Sequence, residues 1–192
     1  MYTNLADFVV SKTASGLSGR TVDWYAASVR RYSEWTEVMS APKEKPETVE
    51  GYLAHLRTDG RSAFYIAGCY RALSVFFKWM EQRRGLRPSP MAVISPPQTP
   101  IKRVTHISAG QFKRLYDSIP VDHWWELRDR CLLLILFYSG LRASELLSLR
   151  LDSVDRDRCL LLVGAGKGDK DRDVPCTDEV ITQLDLYLSQ RP

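Results

Sequence analysis

Five prolines between positions 88 and 100 (Pro88, Pro90, Pro96, Pro97 and Pro100) decide how the rest of this 192-residue chain can fold. Proline lacks the N–H that a helix interior or a central strand needs, and it turns the residue before it away from helical backbone. No helix or strand ladder can run through this stretch. With the Lys102-Arg103 pair that closes it, it reads as a semi-extended linker over 89–106. The chain is thereby divided into an N-terminal domain, 1–88, and a C-terminal one, 107–192. Just past the linker, Ser108 and Gln111 have the spacing of a capping box, and Ile107 and Phe112 that of a hydrophobic staple, so a helix starts near position 108.

Both halves can bury a core. Hydrophobic residues make up 44% of the chain and aromatics 10%, which excludes a disordered polypeptide. The longest apolar run, Cys131 to Tyr138, has eight residues and falls inside a helical pattern, too short to cross a bilayer. The N-terminus opens on polar residues without the charged and apolar regions of a signal peptide, so a cytoplasmic protein with no membrane partner is expected. Cys69, Cys131, Cys159 and Cys176 are widely spaced, form no metal-binding pattern, and read as small buried hydrophobes rather than disulfides. His55, His106 and His123 show no ligand spacing either, and no metal or cofactor is expected.

The net charge of +4 is unevenly placed. Residues 1–95 carry 13 basic and 9 acidic side chains, whereas residues 96–192 carry 14 of each. The excess in the first half points to an anionic partner met there.

The first half reads as four helices, over Leu5 to Thr13, Thr21 to Val38, Pro46 to Arg57 and Ser62 to Arg84, with glycine-containing turns at positions 16–19 and 59–60. On the fourth, Ile66, Tyr70, Leu73, Phe77 and Met80 recur at three- and four-residue steps and form a core stripe. A second face carries Phe64, Gly68, Arg71 and Lys78. Gly68 has no side chain, so that face can approach another surface closely; equally, Gly68 can let two helices pack while Arg71 and Lys78 stay solvated. In the second half, helices are expected over 111–119, 127–138, 142–149 and 177–188, with a turn over 152–158.

The segment VGAGKGDKDRDVP, Val163 to Pro175, resembles a phosphate-binding loop at first sight. A Walker loop needs glycines five apart followed by Lys and Ser or Thr, but Lys167 precedes Gly168 and the position five before Gly166 is Leu161. A dinucleotide fingerprint fails too, because Asp169 stands where its third glycine belongs. The preceding Cys159 to Val163 run is β-capable, so the segment reads as a β-hairpin with a glycine-rich tip that carries Lys167.

Upstream, FYSGLRASELLSLR places Arg142 directly after a glycine break at the end of an apolar helix. Glu145, three residues on, shares its helix face and can orient the guanidinium. A planar guanidinium fixed in this way matches the two non-bridging oxygens of a phosphodiester. An exposed pair of this kind can also be a plain surface ion pair contributing under about 1 kcal/mol.

Together, GLRASELLSLR and the lysine hairpin resemble the start of the catalytic domain of tyrosine recombinases, the phage integrase family. LSGRTVDWYAASVRRYSEW and SAFYIAGCYRALSVFFKWM resemble the second and fourth helices of that family's SAM-like core-binding domain. The resemblance covers essentially the whole chain. It implies a mainly α protein: a four-helix SAM-like core-binding domain, then a truncated α+β catalytic domain with a small β-hairpin. Site-specific DNA recombination or integration is implied, by a metal-free attack of a tyrosine that leaves a 3′-phosphotyrosine. The resemblance gives catalytic roles to Arg142, which would neutralise charge on the phosphoryl oxygens, to Lys167, the general acid for the departing 5′-oxygen, and to Glu145, which supports the arginine. Lys170 and Arg172 are assigned to backbone contacts or solvent.

Double-stranded DNA is the implied partner, with the full-length enzyme a tetramer on paired sites and this chain a monomer in solution. The face with Gly68, Arg71 and Lys78 then reads as DNA-facing, and Arg20, Thr21, Tyr25, Lys102 and Arg103 are further candidates for phosphate contact. Trp24, Trp35, Phe76, Phe77 and Trp79 are core or base-stacking residues. The family's H-x-x-R motif and nucleophilic tyrosine have no counterpart here, and neither Tyr138 nor Tyr187 stands in the nucleophile's place in the order. The chain is therefore expected to bind DNA without cleaving it, as the N-terminal part of a recombinase. A non-catalytic DNA-binding or regulatory protein, or a helical interaction module, are the other readings. Asp173 and Cys176 stand where the family has apolar residues.

Overall fold

The computed structural model describes residues 2–86, 88–101, 104–164 and 171–192. Lys102, Arg103, Lys167 and Lys170 lie outside the described residues. The chain forms two compact units, Met1–Arg103 and Val104–Pro192. The architecture is mainly α with one small antiparallel sheet, as expected.

The first unit contains α1 (Tyr2–Ala14), α2 (Gly19–Val38), α3 (Pro46–Thr58) and α4 (Ala63–Arg84). Its helix starts are written locally. The Ser18 and Ser62 side chains accept the N–H groups of Thr21 and Tyr65, two donors that a bare helix end would leave unpaired. Pro46 opens α3, where a missing N–H costs nothing. Gly85, at φ +69°, closes α4 in the left-handed conformation that suits glycine.

The core of this unit is aromatic. Phe8, Tyr32, Tyr52, Phe76 and Phe77 are fully buried. Phe8 meets Phe76 and Trp79 edge-on with ring centroids 5.2 and 5.6 Å apart, and Tyr32 meets Tyr52 edge-on at 5.3 Å. Each such pair adds about 0.5–1.5 kcal/mol beyond area burial. Phe76, Phe77 and Trp79 are thus core residues. Trp24 and Trp35 are half-buried at its edge.

The proline stretch does not leave the first unit at once. A 3-10 turn over Pro90–Ala92 packs on α3 and α4, Ile94 is buried, and the Tyr70 hydroxyl donates to the Ile94 carbonyl at 2.8 Å. Residues 94–101 have no regular secondary structure.

The second unit contains α5 (Ala109–Asp117), α6 (Trp124–Ser139), α7 (Ala143–Ser148), β1 (Val154–Asp155), β2 (Leu160–Val163), β3 (Arg172–Pro175) and α8 (Asp178–Gln190). The Ser108–Gln111 capping box is present in both directions. Ile107 is half exposed, while Phe112 is buried and stacks face to face on Phe137 with centroids 3.8 Å apart. Strand β2 lies between β1 and β3, with Val154 opposite Leu161 and Val163 opposite Arg172. The strand β1 falls where a turn was expected, because a two-residue strand shows no alternation that could be read in advance.

Helices α6 and α8 pack on each other in a core that includes Cys131, Leu134, Ile135, Val180 and Leu184. Buried Gln183 joins three helices: its Oε1 accepts the Tyr116 hydroxyl at 2.9 Å, and its Nε2 donates to the Leu127 carbonyl at 3.2 Å. Only two of the four cysteines are buried as expected. Cys69 and Cys131 are interior, whereas Cys159 and Cys176 flank the hairpin at its base and are partly exposed. The Cys176 N–H donates to the Cys159 carbonyl at 2.8 Å there, and Cys176 packs on the core from its edge.

No described helix is long and apolar enough to cross a membrane.

Candidate active site and nucleic-acid interface

Helix α6 ends at Gly140, whose φ of +63° reverses the chain. Leu141 then inserts into the core, and Arg142 becomes the N-cap of α7. The buried leucine fixes the backbone, so the arginine beside it emerges at a defined place. Its side chain is 68% exposed.

Glu145 holds that arginine twice. Its Oε2 accepts the Arg142 backbone N–H at 2.8 Å, and its Oε1 accepts Arg142 Nη1 at 2.8 Å. The three-residue spacing that suggested an oriented guanidinium therefore has the expected geometry. An arginine held before a ligand arrives has already given up part of the roughly 2 kcal/mol of rotamer entropy such a side chain carries.

A third group completes the cluster. Arg172, the first residue of β3, donates from Nη2 to Glu145 Oε2 at 2.9 Å. Arg172, assigned from the sequence to backbone contacts or solvent, thus also pairs, with a side chain 41% exposed, to a carboxylate that is only 11% exposed. The contact spans 27 positions in sequence, so no local pattern could announce it. Hydrogen bonds from Arg172 and from the Arg142 backbone hold the Glu145 carboxyl down at about 2. Glu145 is therefore an anion throughout the neutral range, between two guanidinium groups.

Lys167, the third residue given a catalytic role, lies outside the described residues, as do Lys102 and Arg103. The half-exposed Tyr138 donates its hydroxyl to Glu179 at 3.0 Å, tying α6 to α8, and Tyr187 packs against the core.

In the first unit, Gly68 corrects the reading of its face. A Cβ added there would lie 3.0 Å from Trp24 Cζ2, and the residue is buried. Gly68 therefore admits the Trp24 ring of α2, and the close approach it permits is between helices. Arg71 and Lys78 are exposed, one heptad apart on α4. Moving along α2 from Arg31 to Trp24 moves along α4 from Tyr65 to Gly68, so the two helices are antiparallel. The first turn of α2, with exposed Arg20, is thus level with the turn of α4 that carries Arg71. Thr21 and Tyr25 are only partly exposed; the Thr21 hydroxyl shares a hydrogen bond with Ser18, and Tyr25 packs on the core.

Two cations of this surface have no sequence signal. Arg31 lies 5.8 Å from the Trp24 ring and donates to the Tyr65 hydroxyl at 2.9 Å, while Arg61 lies 5.8 Å from the Tyr65 ring. The structure brings these arginines around one tyrosine, Arg31 from within α2 and Arg61 from the connection just before α4. A surface of guanidinium groups seated on aromatic rings can take both phosphate oxygens and flat bases.

Comparison with known proteins adds to this geometry. A model described as the phage integrase family matches residues 106–191, and one described as phage integrase, N-terminal SAM-like domain, matches residues 5–85. The chain is 33% identical over 187 residues to the tyrosine recombinase XerA of Thermococcus kodakarensis, covering 97% of this chain and 62% of that protein. It is 31% identical over 175 residues to the tyrosine recombinase XerD of Proteus mirabilis, covering 90% of this chain and 56% of that protein. The chain thus spans less than two thirds of the length of either relative.

Among solved structures, it resembles the Tn1549 transposon integrase in complex with circular intermediate DNA, with a TM-score of 0.73, 17% identity, and 98% of this chain and 65% of that one covered. It also resembles a lambda integrase dimer bound to a COC′ core site, with a TM-score of 0.74, 14% identity, and coverage of 96% and 68%. At these identities the likeness is one of fold.

Proposed function

The chain belongs to the phage integrase family of tyrosine recombinases, and from that membership we propose that it is the DNA-binding and arginine-bearing part of a site-specific recombinase acting on double-stranded DNA. The observation that carries the reading is Arg142 at the N-cap of α7, exposed and held from two sides by Glu145. In this reading Arg142 receives the scissile phosphate and neutralises the charge that develops on its non-bridging oxygens. Glu145 keeps the fork in place, and Lys167 delivers a proton to the departing 5′-oxygen.

Residues 1–88 serve as the core-binding domain, 89–106 as the linker, and 107–192 as the first part of the catalytic domain. In the first unit, Arg20, Arg71 and Lys78 contact the DNA backbone, joined by Arg31 and Arg61 on their aromatic seats. Thr21 and Tyr25 support that surface more than they form it. Lys102 and Arg103 are proposed as backbone contacts on the linker. The full-length enzyme works as a tetramer on paired sites inside the cell, while this chain is a monomer.

The recombination reaction also needs a nucleophilic tyrosine and an H-x-x-R motif, and none of these 192 residues matches them. We therefore expect the chain by itself to hold duplex DNA without cutting it. Fluorescence anisotropy with a labelled duplex tests the first clause: binding should be clear at low salt and weaken steeply as salt rises. A suicide substrate tests the second, and a covalent protein–DNA adduct would overturn it. Absence of binding even at low salt would leave a helical interaction module as the better description.

A further inference from the structure

We propose that Arg172 is a positioning residue for Arg142, acting through Glu145, so that strand β3 of the lysine hairpin and the arginine at the start of α7 are set by one shared carboxylate. The proposal rests on the recombinase reading for its functional meaning, but the geometry stands apart from it. Glu145 Oε2 accepts from both the Arg142 backbone N–H and Arg172 Nη2, while Oε1 accepts from Arg142 Nη1. Without Arg172 both oxygens would be held by Arg142 alone, the residue they have to place. With it, Oε2 is also tied to β3, so the carboxylate is set independently of Arg142, and so is the direction in which Oε1 receives the guanidinium.

The hairpin gains from the same contact. Arg172 lies five residues after Lys167 in sequence, and its backbone is paired to Val163 of β2. Its side chain therefore ties the strand leaving the lysine segment to the element bearing the arginine. Arg142 and strand β3 then share a common anchor, which is what positioning before substrate binding requires. Burial makes the anchor costly to loosen: with Glu145 only 11% exposed, removing a donor leaves a poorly hydrated carboxylate short of a partner.

The test uses the 192-residue chain, with side-chain NMR of Glu145 and of Arg142 Nε–H, the latter assigned by its loss in Arg142→Lys. In the wild type the Glu145 carboxyl titrates near 2. In Arg172→Ala its midpoint should rise by about one pH unit or more, and the Arg142 signal should move toward that of a freely rotating arginine. Glu145→Gln should displace the Arg142 signal in the same direction, and Arg172→Lys, which keeps the charge, should recover part of both effects. A folded Arg172→Ala protein, checked by circular dichroism, with both signals unchanged would overturn the proposal. If that variant does not fold, Arg172→Gln and Arg172→Lys decide it on the same two signals.

Duplex binding by the wild-type chain is measured in parallel. Its absence would count against the recombinase reading, while the two NMR signals would still decide whether Arg172 positions Arg142.

Discussion

A methyl group built on Gly68 of α4 falls 3.0 Å from Cζ2 of Trp24 on α2, tighter than ordinary van der Waals contact. The Trp24 ring cannot easily withdraw, because it meets Tyr65 edge-on at 5.6 Å with Arg31 over its face. Two effects oppose each other at this position. Alanine is better than glycine inside a helix by about 1 kcal/mol, whereas overpacking costs about 1–3 kcal/mol. Gly68→Ala should therefore shift stability only slightly, and Gly68→Leu, which keeps the propensity gain but adds more volume, should destabilise clearly. Urea denaturation of the two variants checks the order; equal stability of Gly68→Leu and wild type would show that Trp24 moves aside.

Gln183 presents a buried polar bridge among α5, α6 and α8. Replacing it by leucine roughly keeps the volume but removes both hydrogen bonds. The Leu127 carbonyl, inside α6, keeps its helical partner and Tyr116 is only half-buried, so the cost is that of two lost hydrogen bonds, about 0.5–1.5 kcal/mol each. A fall in the unfolding midpoint is expected, accompanied by faster hydrogen exchange at the α6–α8 contact.

What could be read in advance was what neighbouring residues decide. Ser18, Ser62 and Ser108 each lie just before a helix and cap it through a donor three residues on, and Gly85 and Gly140 end helices where the chain must reverse. Glu145 belongs to the same class, since its partner Arg142 is within one turn. Long-range pairings are a different matter. Nothing near Gly68 names Trp24, nothing near Arg172 names Glu145, and Ile94 is buried only because Tyr70 and the first unit receive it. The strand β1 escaped for a related reason: Val154 takes its place from pairing with Leu161.

Acid should loosen the arginine cluster. The folded-state value of Glu145, about 2, lies below the roughly 4.3 of a free glutamate. A carboxylate lowered on folding contributes stability that is fully present above its unfolded value and is lost as pH falls through its folded one. The loss should therefore develop from about pH 4.5 down to about pH 2. Glu145→Gln, with no carboxyl to protonate, should be less stable than wild type at neutral pH and should show a flatter decline in this window. Thermal unfolding at a series of pH values separates the curves, and parallel curves would mean that Glu145 titrates normally.

The α4 surface makes the most direct statement about DNA. Arg71 and Lys78 are exposed, seven residues apart on one helix face, and Arg20 is level with Arg71 across the antiparallel α2. If these side chains neutralise phosphates, each should release condensed counterions on binding. The slope of log affinity against log salt then falls by about 0.9 for every contact removed. Arg71→Ala with Lys78→Ala should thus weaken duplex binding at low salt and flatten that slope by nearly 2, with helicity unchanged. Neither substitution removes a core contact, so stability should stay within about 0.5 kcal/mol of wild type. Arg31→Ala behaves differently, because its guanidinium also sits on Trp24 and donates to Tyr65, and some loss of stability should accompany its loss of affinity. Anisotropy titrations across a salt series check all three. An unchanged slope in the double variant would move the DNA-binding surface off this face of α4.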